Sequence, residues 1–149
     1  MRILLDTNII LDIALKREPH FLDSAEVFKT VDNKFLFGFV SATTITDIYY
    51  IAKKEKGHKI TIDFIGSLIE IIDVIGVDRE VIIESLVSQI RDFEDAIQSV
   101  SSRLNDIDYI ITRNKKRAIT SPKPNVAFKW FAFVRAFNYF CYRLIYERF

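Results

Sequence analysis

The chain has 149 residues, 50% hydrophobic and 28% charged, which suits one folded domain with its own core and excludes a disordered chain. Twenty-one basic and twenty acidic side chains leave a formal net charge of +1, so bulk charge is excluded as a basis for nucleic-acid binding and only local patches remain. A single cysteine, Cys141, excludes an intramolecular disulfide framework and points to a reducing compartment.

Apolar runs alternate with stretches of helical period, the pattern of a parallel sheet with helices on its faces. A buried strand is expected over residues 3–5, ending at Asp6. A short helix over 7–16 and a second over 21–32 follow, then a strand over 35–41. Residues 41–54 read as a helix with Ala42, Ile45, Ile48, Tyr49 and Ala52 on one stripe, and Gly57 stands where such a helix ends. Residues 60–72 form another amphipathic candidate and 74–77 a third strand. Asp78 suits the cap of a helix running to about residue 88. Residues 93–104 read as a helix and 109–112 as a last short strand. No export signal is seen, since the apolar run before Asp6 is too short. No apolar stretch approaches the ~20 residues a spanning helix requires. The expectation is a cytoplasmic α/β protein.

The acids fall at informative places in this order. Asp6 ends the first strand, at the edge of a parallel sheet where ligand sites form. Asp47 lies one to two turns into the helix after the second strand. Asp92, Glu94 and Asp95 open a later helix, where the macrodipole tolerates negative charge. Asn114 follows the last strand at the same edge as Asp6. Carboxylates gathered there would repel one another unless a hard, oxygen-seeking cation such as Mg²⁺ neutralised them. Taken singly, each acid equally suits a solvated strand end or helix start, and Asn114 a turn.

Four segments occur in register. They are Leu4-Leu5-Asp6-Thr7-Asn8-Ile9-Ile10-Leu11-Asp12, Ser41-Ala42-Thr43-Thr44-Ile45-Thr46-Asp47-Ile48-Tyr49-Tyr50, Asp92-Phe93-Glu94-Asp95-Ala96-Ile97-Gln98 and Ile110-Ile111-Thr112-Arg113-Asn114-Lys115-Lys116. Together they resemble the four motifs of the PIN-domain family, in particular its VapC-like toxin branch, over residues 1–116. The resemblance implies a three-layer α/β/α fold around a mainly parallel sheet of four or five strands. It also implies a metal-dependent ribonuclease using Mg²⁺ or Mn²⁺ and leaving a 5′-phosphate. Asp6 would be the central metal ligand, Asp95 the second and Asp92 a lesser one. Asn114 would orient water, metal or phosphate, and Thr7, Asn8, Arg113 and Arg117 would meet or support the substrate. Asp47 stands where the family commonly has glutamate and, being shorter, would act through a water. The implied partners are an RNA substrate, an antitoxin protein and a second copy in a homodimer.

Two departures qualify the resemblance. Arg117-Ala118 stands where many relatives carry an aspartate–aromatic pair, which leaves open a degenerate PIN domain that binds RNA or protein without cutting. Residues 128–149 hold ten of the twenty aromatics, with Trp130, Phe133, Phe137, Phe140 and Leu144 at helical spacing between Lys129, Arg135 and Arg143. This predicts a C-terminal helix beyond a nuclease domain of residues 1–127, packed on that domain or serving a dimer or partner. Its charges are too many for a membrane span. The stretch Lys53, Lys54, Lys56 and Lys59 is either a solvated face or an RNA-backbone contact. His20 and His58, far apart and with one cysteine, give no zinc site. The four glycines form no phosphate loop.

Overall fold

The structure is a computed structural model and describes residues 1–113. Asn114, Arg117 and the aromatic segment 128–149 lie outside the described residues. The elements run β1 (Arg2–Leu5), α1 (Thr7–Leu15), α2 (Phe21–Asp32), β2 (Phe37–Ser41), α3 (Ala42–Lys56), α4 (His58–Ile71), β3 (Asp73–Ile75), α5 (Arg79–Val87), α6 (Phe93–Leu104) and β4 (Tyr109–Ile111). The β-α-α-β-α-α-β-α-α-β order expected from periodicity is the order found. The strands form one parallel sheet in the order β3-β2-β1-β4. Parallel neighbours require crossovers, and here each crossover is a pair of helices.

β1 sits inside the sheet, paired on both sides, and Ile3, Leu4 and Leu5 are fully buried. Each such side chain contributes about 1.5–3 kcal/mol relative to exposure, which is why the strand reads as an unbroken apolar run. Alternation along the strands divides the core. Ile3, Leu5, Val40 and Ile111 face a large cluster built with Ile9, Ile10 and Leu11 of α1, Val27 and Val31 of α2, Ile48 and Ala52 of α3, and Leu68 of α4. Leu4, Phe39, Ile75 and Ile110 form a smaller cluster on the opposite face. α5 and α6 pack together around Val81, Ile97 and Val100.

Local chemistry sets the boundaries. Ser41 ends β2 and caps α3, its Oγ accepting from the Thr44 amide at 3.2 Å. Asp78 caps α5 in the same way through Val81, at 3.0 Å, so the cap expected there is present. β2 begins at Phe37 rather than residue 35, because Lys34 turns the chain with φ 62° and Phe35 is exposed. β3 starts one residue earlier and ends two earlier than expected, at Asp73–Ile75, since α4 ends at Ile71. Gly38 in β2 is required by close packing: a Cβ there would stand 2.6 Å from Val31 Cγ1 and 2.8 Å from Ile72 Cγ2.

Candidate active site

Strand register brings the site together. Leu5 pairs with Ile111 and Leu4 with Phe39. Carried forward, this sets Asp6 level with Thr112 beyond β4 and with Ser41 at the end of β2. All three lie at the C-terminal edge of the sheet and are buried, Asp6 completely. Asp6 is also the N-cap residue of α1, yet its side chain makes no capping bond. Its Oδ2 instead accepts from Thr112 Oγ1 at 2.6 Å, and its Oδ1 accepts from Gln98 Nε2 at 3.4 Å.

The Gln98 amide links two carboxylates. It also donates to Glu94 Oε1 at 3.1 Å, one turn earlier on α6. The same oxygen lies 3.0 Å from Thr7 Oγ1. Thr7 has one hydroxyl hydrogen, and the charged acceptor takes it. The same hydroxyl also points toward Thr44 Oγ1, a weaker acceptor at 3.4 Å. Thr44 Oγ1 meets Ser41 Oγ at 3.0 Å, and Ser41 Oγ meets Thr43 Oγ1 at 2.9 Å. A continuous polar network therefore joins the ends of β1, β2 and β4 to the start of α6.

The remaining acids occupy distinct places. Asp95 follows Glu94 and is half-buried. Asp92 is exposed, and its Oδ1 caps α6 by accepting from the Asp95 amide at 3.1 Å. Asp47 stands one turn beyond Thr44 on α3, and burial raises its carboxyl above the ordinary value of 3.8. Beside the network lies a second buried aspartate, Asp12. Its Oδ1 pairs with Arg113 Nη1 at 2.8 Å and its Oδ2 accepts from Ser24 Oγ at 3.2 Å. Arg113 Nη2 donates to Asn8 Oδ1 at 3.2 Å. Arg113 is thus engaged within the protein, tying the chain after β4 to α1.

Sequence reading missed the roles of Glu94, Gln98, Thr112 and Asp12 in this arrangement. The available signal was on α6, where Gln98, Ser101 and Ser102 are buried polar residues. Polar residues at helical spacing beside an apolar stripe suggest a solvated face unless another element is known to meet them.

Among the described residues the donors around Asp6 are carboxylate, hydroxyl and amide groups, with no imidazole or thiolate, and this chemistry fits a hard divalent cation. Among the described residues no three His, Cys, Asp or Glu side chains are gathered as a ready-made metal group. Asp6 and Glu94 are joined through the one Gln98 amide.

A family model described as PIN domain matches residues 2–116. The chain belongs to the PIN-domain family. Comparison with curated proteins returned no match. Three solved structures share the PIN fold. VapC20 of Mycobacterium tuberculosis, a toxin that cleaves the sarcin–ricin loop, aligns at 12% identity and TM-score 0.64, covering 81% of this chain and 98% of that one. A chain of VapBC2 from Rickettsia felis, solved with a DNA fragment from its promoter, gives 14% and 0.65 over 85% and 98%. A toxin–antitoxin complex from Klebsiella pneumoniae gives 19% and 0.63 over 85% and 96%. At these identities the likeness concerns the fold. No helix among the described residues is long and apolar enough to cross a membrane.

Proposed function

We propose that this PIN-domain protein is a metal-dependent ribonuclease acting as the toxin of a toxin–antitoxin pair. The observation that carries the reading is the convergence of Asp6 and Glu94 on the Gln98 amide, at the C-terminal strand edge of a PIN fold. Asp6 and Glu94, with Asp95 and Asp47 from the flanking helices, would hold Mg²⁺ or Mn²⁺, and Asp92 would support them by capping α6. When bound, the metal would lower the pKa of an attacking water and neutralise phosphoryl charge. Thr112 fixes the orientation of the Asp6 carboxylate, and Thr7 fixes that of Glu94. Arg113 holds the amide oxygen of Asn8, so the Asn8 NH₂ is the end available to a phosphate oxygen. Arg113 is then a brace rather than a phosphate contact. Asn114 and Arg117 would complete the substrate side.

The toxin role is supported by fold likeness to toxins and toxin–antitoxin complexes. An antitoxin that covers the acidic edge, and a homodimer, belong to the same proposal. The test is cleavage of a mixed RNA panel by antitoxin-free protein in Mg²⁺ or Mn²⁺. Loss of cleavage with EDTA and with Asp6→Asn is expected. Folded protein that neither cuts RNA nor binds Mn²⁺ would leave a binding module in place of an enzyme.

A further inference from the structure

α3 and α4 form a hairpin joined by the single residue Gly57, at φ 80°. Residues 53–60 around that joint are all exposed, so the tip stands clear of the body. Residues 53–59 carry four lysines and one acid, in a chain of formal net charge +1. Residues 1–113 hold 13 basic and 19 acidic side chains, so the tip is a basic patch on an acidic body, and residues 114–149 carry a further net charge of +7. Lys53, Lys54 and Lys56 suit the C-terminal turn of α3, where the macrodipole favours cations. Lys59 does not suit its place. It lies in the first turn of α4, which contains no acid and where the dipole disfavours a cation. Helix stability thus accounts for three of the lysines and is opposed by the fourth.

Aromatics accompany the charge. Tyr49 Oη meets His58 Nδ1 at 3.1 Å across the joint, and Lys53 Nζ lies 5.2 Å from the Tyr49 ring centre. Tyr50 packs edge-on against Tyr49 and is 64% exposed. Cationic side chains beside an exposed ring, itself backed by a second ring, are the elements of a stacking platform for unpaired bases. α3 also connects the two places. Its first turn carries Thr44 of the Asp6 network, and Lys56 stands about 18 Å further along the helix axis.

We propose that the α3–α4 tip binds single-stranded RNA, with Lys53, Lys54, Lys56 and Lys59 on backbone phosphates and Tyr50 against a base. The proposal rests on the ribonuclease reading, and it places a grip on the substrate away from the bond that is cut. The test is fluorescence anisotropy with a labelled single-stranded oligonucleotide, using the full chain with Asp6→Asn in metal-free buffer over a salt series. The pair Lys53→Gln/Lys56→Gln is compared with Lys29→Gln/Lys34→Gln, which removes equal charge from exposed positions elsewhere. The tip pair should lower the slope of log Kd against log salt by about 1.4, roughly 0.7 per phosphate contact. Tyr50→Ala should weaken binding on the order of tenfold. Equal effects from the two lysine pairs, an unchanged slope, or no RNA binding by the parent would each overturn the proposal. Tip-dependent RNA binding by a wild-type protein that never cuts RNA would uphold the surface and remove the nuclease. Cleavage with a tip-independent slope would do the reverse.

Discussion

Asp6 and Asp12 are both fully buried, one at the cap and one in the body of the same helix, and the fold treats them differently. Asp12 is met by the guanidinium of Arg113 and by Ser24. Asp6 is met by a hydroxyl and an amide, from Thr112 and Gln98, and the amide is shared with a further carboxylate, Glu94. A buried ion pair with good geometry satisfies its own charge. The Thr112 and Gln98 donors are neutral and orient the Asp6 carboxylate. The contrast ties Asp12 to the chain after β4 and sets Asp6 beside Glu94, the arrangement the proposed ribonuclease site uses, although the sequence presents two similar acids six positions apart.

The largest expected effect follows from opening the Asp12 pair. Arg113→Ala should destabilise the fold by about 3 kcal/mol, the lower end of the range for stranding a buried charge, because the guanidinium is partly solvated. Urea unfolding measures it, and a loss below about 0.5 kcal/mol would remove Arg113 as a brace. Glu94→Gln works on the other region. It should leave stability within about 0.5 kcal/mol and weaken Mn²⁺ binding at least about tenfold by calorimetry. Unchanged affinity would take Glu94 out of the metal site. A matched pair then sharpens the comparison. Ser24→Ala and Thr112→Val each delete one hydroxyl donor to a buried aspartate and should each cost about 1–2 kcal/mol. Only Thr112→Val should also lower Mn²⁺ affinity. Equal losses of metal binding would show that the two aspartates are not separate in role.

Much of this arrangement was legible in the sequence, for identifiable reasons. The run Ile3-Leu4-Leu5 ending at Asp6 is a buried strand meeting the ligand edge, and the strand order confirms that placement. α6 has the bounds that its residue spacing predicts, and the structure adds that Asp92 caps it. Glu94 and Asp95 are adjacent acids at a helix start, and the sequence does not show that Glu94 meets Thr7 of α1. That contact joins residues 87 positions apart in sequence. The Arg113–Asp12 pair joins residues 101 positions apart, and the amphipathic pattern of α1 gives no sign of it. Long-range pairing leaves no periodicity for a sequence to display.

Asp47 gives the smallest effect and separates stability from function most cleanly. Desolvation raises its carboxyl above 3.8 in the folded protein, so the folded chain binds that proton more tightly than the unfolded one. Between the unfolded and the raised folded values, stability must fall as pH rises, and above them the penalty for the buried charge is constant. Asp47→Asn removes the penalty. The variant should therefore unfold at a slightly higher temperature than its parent near neutral pH. The advantage should shrink as pH falls through the raised folded value and vanish below the ordinary carboxyl range. Thermal unfolding of the two proteins across a pH series reads this directly. If Asp47 also serves the metal, the stabilised variant should bind Mn²⁺ less well, the signature of a charge retained against its own folding cost. An Asp47→Asn protein that is less stable at neutral pH would mean that the carboxylate is held by favourable contacts that outweigh its burial.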